Sequence, residues 1–341
     1  MPDLPLPGRA DGSVVWSVCV VDRDGRRLAA ADPDQVCQTA SVGKLFLLIE
    51  VATRLAEGRL DPDERIVIPD ELRVADSGLL YRMRDQRLTV VDAALLVGAV
   101  SDNLATNALL ARCGLDAVRA VAPSLGCEHT TLLDYIRDER LPGMPWTPSY
   151  GCAAELADVM RRLGRGEIGS PAISDQVLSW LAADTDTSMV AAALLLDPLA
   201  HVEPEFEGMT LRHKTGTTSF ARIDIGWLRG PGGELAYAVG ANWGGSVDRR
   251  EPVMAAMRQV GDGLRRWVGA GMGGEDQVDA ASGAAARDAS HRAAELRASS
   301  PARPDSGIVA PESGGSPELG EDVGMGDSTP ATTRSQTGGP R

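Results

Sequence analysis

The most continuous apolar run in the chain is Leu45-Phe46-Leu47-Leu48-Ile49, extended by Val51, Ala52 and Leu55 as far as Gly58. Apolar residues point almost all round this predicted helix, and a helix without a polar stripe is a buried one. Upstream, residues 14–21 are rich in β-formers, Asp22-Arg-Asp-Gly25 reads as a turn, and 27–31 as a returning strand. From about 60 to 200 the pattern predicts mostly helix, punctuated by Pro and Gly. Thr89 caps a helix over 90–100, Ser101-Asp102-Asn103 interrupts it, and a second helix over 104–112 stops at Gly114. Thr147-Pro148 is expected to open a helix reaching Leu163, with one or two more over 174–198. Short β-rich runs return at 210–214, 223–229 and 235–242, and an amphipathic helix over 251–268 follows.

These elements predict a mixed α/β (α+β) fold. An antiparallel sheet is built from both ends of one region, 12–268, and flanked by helices. Its sheet part is about 12–40 plus 205–268, and an all-helical subdomain, about 41–204, is inserted between. Residues 1–11 are expected to be a flexible N-terminus. After Gly269 the composition turns to Gly, Ala, Ser, Pro and acidic residues without an aromatic, which predicts a disordered low-complexity tail over 269–341.

A net charge of −14 argues against nucleic acid or an anionic membrane as partner, and leaves a small-molecule substrate and a monomer as the expectation. No run approaches a membrane span, and the first residues lack a basic and apolar leader. The chain as it stands is expected to be cytoplasmic, and secreted only if the true start lies upstream. Five scattered cysteines without C-x-x-C read as buried thiols, so neither a metal site nor a cofactor is expected.

The chemistry begins where the buried helix begins, at Ser41-Val-Gly-Lys44. Residues three apart share a helix face, so Ser41 Oγ and Lys44 Nζ are expected to meet. Burial disfavours the ammonium form, which makes Lys44 a candidate base for a Ser41 nucleophile. Lysine occurs only twice among 34 basic residues, at Lys44 and Lys214. Arginine cannot take over a lysine's role as base, because it does not give up its proton. No G-x-S-x-G elbow is present, and the four histidines are scattered.

Ser41-x-x-Lys44, Ser101-Asp102-Asn103 and Lys214-Thr215-Gly216 follow one another in the order that resembles class A β-lactamases and penicillin-binding proteins. Asp76-Ser-Gly-Leu-Leu80 and Thr147-Pro148 also look like the wider serine β-lactamase-like hydrolases, and the likeness spans about 12 to 268. The resemblance implies a β-lactamase/transpeptidase-like fold and a serine hydrolase working through an acyl-enzyme on Ser41. Ser101 would relay a proton to the leaving nitrogen, and Asn103 would hold Lys44 and a substrate amide. Lys214 would support Ser101 and draw in an anionic substrate. Thr215 and Thr217 would donate to a carboxylate, Gly216 would admit substrate close to the backbone, and the N–H groups of Ser41 and Thr217 would form the oxyanion hole. Arg222 resembles the family's carboxylate clamp, or is a surface arginine. Tyr81 walls the cleft, or simply packs.

One feature departs from that family. Class A enzymes deacylate with a glutamate in an E-x-x-L-N loop. Here, registered on Leu133-Asp134, that place falls on Arg137, the loop is several residues short, and no Leu-Asn follows. Asp138 and Glu139 are the neighbouring acids, either one a deacylation base or both merely solvated. Three functions therefore stay open: a β-lactamase, a related esterase, amidase or D,D-peptidase, and a penicillin-binding or sensing module without turnover.

Overall fold

The computed structural model describes residues 4–7, 12–198, 208–245 and 247–270, so all but the first two residues of the expected tail lie outside the described residues. Strands β1 (Val14–Asp22) and β2 (Arg27–Ala31) form the expected hairpin, closed by Gly25 at φ +81. Strands β6 (Thr210–Thr218), β7 (Ala221–Gly230) and β8 (Gly233–Trp243) form a meander. The antiparallel sheet has the order β2-β1-β8-β7-β6, with Val14 opposite Trp243 and Asp22 opposite Leu235. The two ends of the region thus share one sheet, and β6 is left as an edge strand.

Alternation along the strands gives the sheet two apolar faces. Trp16, Val18 and Val20 of β1, with Leu228, Tyr237 and Val239, pack beneath Val253, Met257, Val260 and Leu264 of helix α7 (Arg250–Gly269). Cys19, Val21, Ile223, Ile225 and Ala238 face the other way, into the larger core. That core is organised around α1 (Lys44–Ala56), buried from Lys44 through Ile49 as its all-round apolarity demands. Helices α2 (Val90–Val100), α3 (Asn103–Cys113), α4 (Leu115–Ser124), α5 (Ala153–Gly164) and α6 (Pro171–Leu181) complete the layer. Thr89 caps α2 by accepting from Asp92 N, as expected. All five cysteines are free and buried.

Three local expectations are corrected. The stretch 57–89 holds no α-helix, only short 3-10 turns at Asp70–Leu72 and Leu80–Arg82. Thr147-Pro148 does not open a helix either. Residues Ser149–Gly151 are a strand, β5, between β3 (Cys37–Gln38) and β4 (Thr131–Leu132) in a second, small sheet, and α5 begins only at Ala153. On one side β5 pairs with the nearby β4, and on the other with backbone more than a hundred residues away, Thr39 N donating to Ser149 O at 3.2 Å. The 3-10 turn Val190–Leu194 lies on the α7 face and not with the inserted helices. The buried Asp224 carboxylate anchors it there, Oδ2 accepting from Val190 N at 3.0 Å and Ala191 N at 3.3 Å.

Candidate active site

Ser41 does not stand on the α-helix itself but on a 3-10 turn, Ala40–Gly43, that leads into α1. With three residues per 3-10 turn, Ser41 and Lys44 stack on one side. Ala40 holds φ +48, a left-handed conformation costly for a residue with a Cβ, immediately before the serine. Ser149 of β5 fixes it there, donating from Oγ to Ala40 O at 2.5 Å while accepting from Thr39 Oγ1 at 2.8 Å. Gly43 is required by the same contact, because a Cβ there would stand 2.4 Å from Ser149 Cβ. The small sheet is therefore the brace of the serine turn.

Ser41 is half-buried and lines a cavity of about 810 Å³ together with Ser101, Asn103, Thr215 and Thr217. Lys44 lies beneath it at 0 % exposure. Its Nζ donates to Ser101 O at 2.6 Å, Asn103 Oδ1 at 2.8 Å and Ser101 Oγ at 3.1 Å. These three acceptors use every ammonium hydrogen. No hydrogen bond joins Ser41 Oγ to Lys44 Nζ among those of the described residues, so the direct contact expected from spacing is replaced by one with the Ser101 loop. Burial, and after it the Lys214 charge, drives the Lys44 pKa well below its ordinary value, against the pull of Asp102, Asp76 and Asp184.

The Ser101-Asp102-Asn103 segment works as three separate devices. Ser101 ends α2 with φ +53, which turns its carbonyl and hydroxyl toward Lys44. Asp102, fully buried, caps α3 through Ala105 N at 2.9 Å and also takes Leu79 N and Leu80 N, both at 2.7 Å. Gly78 (φ +106) makes room for that carboxylate, which would lie 2.3 Å from any Cβ there. Asn103 accepts from Lys44 and donates from Nδ2 to Ala75 O at 3.3 Å. The acid of the motif is a structural cap, which the sequence reading did not assign.

On β6, Lys214 is also at 0 % exposure; its Nζ donates to Thr215 O at 3.1 Å and lies 3.6 Å from Asp184 Oδ2. Asp184, missed at the sequence level, also accepts Thr215 N at 3.2 Å and so ties the strand to the segment after α6. Thr215 and Thr217 share the cavity side as alternation requires. Gly216 has a packing reason of its own. A Cβ there would meet Thr39 O at 2.5 Å, Ile223 Cγ2 at 2.7 Å and Ser41 N at 3.2 Å, so this glycine lets β6 close against the serine turn.

The remaining candidates lie apart. Arg222 Nη1 donates to Thr218 O at 2.5 Å and Ala221 O at 2.8 Å, its guanidinium rests over Trp243, and it does not line the cavity. Tyr81 packs against the core and accepts from Arg82 Nε at 2.7 Å, which favours its packing role. His213 is buried beside Asp224, 3.3 Å from Oδ1, away from the cavity.

A description of the beta-lactamase enzyme family matches residues 8–268. The chain belongs to the beta-lactamase enzyme family. The fold is shared with a beta-lactamase from Sphaerobacter thermophilus DSM 20745, 24% identical, with a TM-score of 0.65 over 76% of this chain and 94% of that one. It is also shared with PBP-A, 24% identical, at 0.62 over 74% and 89%. An ancestral (GNCA) class A beta-lactamase is 26% identical, at 0.62 over 75% and 95%. No curated protein matches the chain.

Within this beta-lactamase-family fold, the loop over 133–148 forms a wall of the cavity through Ile136, Arg137, Asp138, Arg140 and Trp146. Arg137 and Arg140 both grip the buried Asp134, at 2.9 Å from Oδ2. Burial pushes the Asp134 carboxyl up, but the two guanidinium groups outweigh it and hold it below the usual range. Asn107 clamps the loop from below, accepting Ile136 N at 2.9 Å and donating to Ile136 O at 2.8 Å. Both loop acids are exposed, but Asp138 lines the cavity and accepts from Ala75 N at 3.3 Å, whereas Glu139 lies outside the lining. No helix among the described residues is long and apolar enough to cross a membrane, and no group of potential metal ligands occurs among them.

Proposed function

We propose that the protein is a serine hydrolase of class A β-lactamase type that forms an acyl-enzyme on Ser41 and opens β-lactam amide bonds. The observation that carries this reading is Lys44. It is a fully buried lysine one turn from Ser41, driven toward its neutral form and bonded to Ser101 and Asn103. A neutral amine keeps two hydrogens, which Ser101 O and Asn103 Oδ1 take, and its lone pair is left for a hydroxyl proton. Ser41 Oγ then adds to the carbonyl carbon while its proton passes to Lys44. The N–H groups of Ser41 and Thr217 hold the developing oxyanion; Gly216 brings β6 to the Ser41 amide for this purpose. The C–N bond breaks as the proton moves from Lys44 through Ser101 Oγ to the leaving nitrogen. Water then hydrolyses the ester and restores Ser41. Asp138, which lines the cavity, is the loop acid proposed for that second step, without the pre-set partnership of a glutamate in the class A register.

A related esterase, amidase or D,D-peptidase is the second reading, favoured by Arg137 standing where class A enzymes carry their deacylating glutamate. A chromogenic cephalosporin separates the two. The expected trace is a burst followed by slow turnover, with the intact mass raised by one opened β-lactam and no adduct on Ser41→Ala. Asp138→Asn should slow release more than Glu139→Gln. A protein that never gains the adduct refutes the β-lactam reading, and an adduct that never clears makes it a binding module.

A further inference from the structure

The serine turn follows directly on strand β3, which is the edge of the small sheet and pairs there with β5 alone. An edge strand leaves outward N–H and C=O groups that need partners from elsewhere. The rigid element beside it is β8, but the β8 backbone at Asn242 is already placed opposite Val15 of β1 and Ala221 of β7. The Asn242 side chain serves instead. Its Oδ1 accepts Gln38 N at 2.7 Å and its Nδ2 donates to Gln38 O at 3.1 Å. One amide thus supplies both the acceptor and the donor that a neighbouring strand would offer. Asn107 grips Ile136 in the same two-point manner.

Only Thr39 and Ala40 separate this grip from Ser41. Ala40 stands at φ +48, and a residue in that region stays there only when its surroundings fix it firmly. Ser149 Oγ holds the Ala40 carbonyl, and Asn242 holds the chain just upstream. The consequence reaches the oxyanion site. Thr217 N belongs to β6 and is placed by the main sheet, where Thr217 lies opposite Arg222, and Arg222 opposite Ala241, the neighbour of Asn242. Ser41 N belongs to the 3-10 turn, outside that sheet. Asn242 is a side-chain tie between the sheet that carries one N–H and the turn that carries the other.

We infer that Asn242 is a positioning residue for the reaction: by holding Gln38 it keeps Ser41 N where, with Thr217 N, it can meet a developing oxyanion. Asn242 does not line the cavity, so it acts through the turn and not on the substrate. The inference rests on the acyl-enzyme reading of Ser41 and adds a residue to it. The charge on the carbonyl oxygen grows only in the transition state, so loss of the tie should slow acylation without weakening substrate binding.

The test uses single turnovers of the full chain with p-nitrophenyl phenylacetate, a neutral ester, followed by stopped flow. These give the limiting acylation rate and the substrate dissociation constant separately. Asn242→Ala should lower the limiting rate about 10- to 100-fold, the scale of a misplaced oxyanion donor, and leave the dissociation constant within about threefold. Phenylboronic acid, whose tetrahedral adduct on Ser41 sets an oxygen between the two N–H groups, should lose affinity by a similar factor. A merely structural loss would lower the burst amplitude, which counts active enzyme, and leave the first-order rate constant untouched. Asn242→Asp is nearly isosteric, keeps the acceptor for Gln38 N and loses the donor to Gln38 O. It should show about a tenfold loss, and it decides the matter where the alanine variant does not fold. An unchanged limiting rate in either folded variant overturns this inference and leaves the acyl-enzyme reading standing. So does a loss confined to the dissociation constant, or a boronate affinity that stays native while the rate falls. A native enzyme that neither the ester nor the boronate reaches at Ser41 overturns the acyl-enzyme reading, and the inference with it.

Discussion

Replacing each lysine by arginine separates a base from a fixed charge. Lys44 and Lys214 are both at 0 % exposure, so the larger guanidinium overpacks either site and costs about 1–3 kcal/mol of stability at each. That common cost makes the pair a controlled comparison. At Lys44, arginine keeps the positive charge beside Ser101 O and Asn103 Oδ1 but cannot offer a lone pair, so proton transfer from Ser41 is lost. Loss of a general base lowers the rate roughly 10²–10⁴-fold, equivalent to about 3–5 kcal/mol in the barrier. At Lys214 the partner is the Asp184 carboxylate at 3.6 Å, and arginine preserves that attraction. The expected loss there is less than about tenfold. Stopped-flow acylation by a chromogenic cephalosporin, normalised to the folded fraction from thermal melts, measures both. Equal losses at the two positions, or a Lys44→Arg enzyme that still acylates at the native rate, would refute Lys44 as the base.

Stability should also report the state of Lys44. Its folded pKa lies far below the ordinary 10.5, so between those two values the unfolded chain binds a proton that the folded chain does not, and stability rises with pH. The urea midpoint of the native protein should therefore gain on that of Lys44→Met from about pH 7 to about pH 10, and a constant difference would mean that the buried lysine stays charged. Gly216→Ala places a methyl 2.5 Å from Thr39 O and must push β6 from the serine turn. Acylation should fall about 10²-fold, as for a misplacement near 1 Å, and an unchanged rate would show that the oxyanion site does not depend on this approach. Asp102→Ala leaves the buried Ala105, Leu79 and Leu80 amides without their acceptor. Chemical denaturation should register a loss of about 3–5 kcal/mol, and a loss below about 1 kcal/mol would contradict its role as the anchor of the loop over 75–80.

Short-range pattern determined a good deal of this protein by itself. The all-round apolarity of residues 45–52 dictates a buried helix, and burial alone moves Lys44 toward its neutral form. The hairpin at Gly25, the Thr89 cap and the break at Ser101 are each set by residues within a few positions, where propensity and capping act. The motif order placed Ser41, Lys44, Ser101 and Asn103 together, and the structure brings those four to one cavity or directly beneath it. What only the tertiary structure decided depends on partners distant in sequence. Strand β5 is three residues long, too short to show a period, and exists because the backbone near Thr39 receives it. Gly216 is held to glycine by Ile223 of β7 and the serine turn, which occupy its Cβ position. Asp184 and Asp186 lie in a stretch, 174–198, that the pattern assigns to one or two helices and in which nothing marks them out. Only the approach of β6, bringing Lys214 and Thr215 against them, turns those two carboxylates into a charged wall of the cavity. Sequence spacing carries no information about such an encounter, since it is the packing of sheet against helices that sets which charges meet in low dielectric.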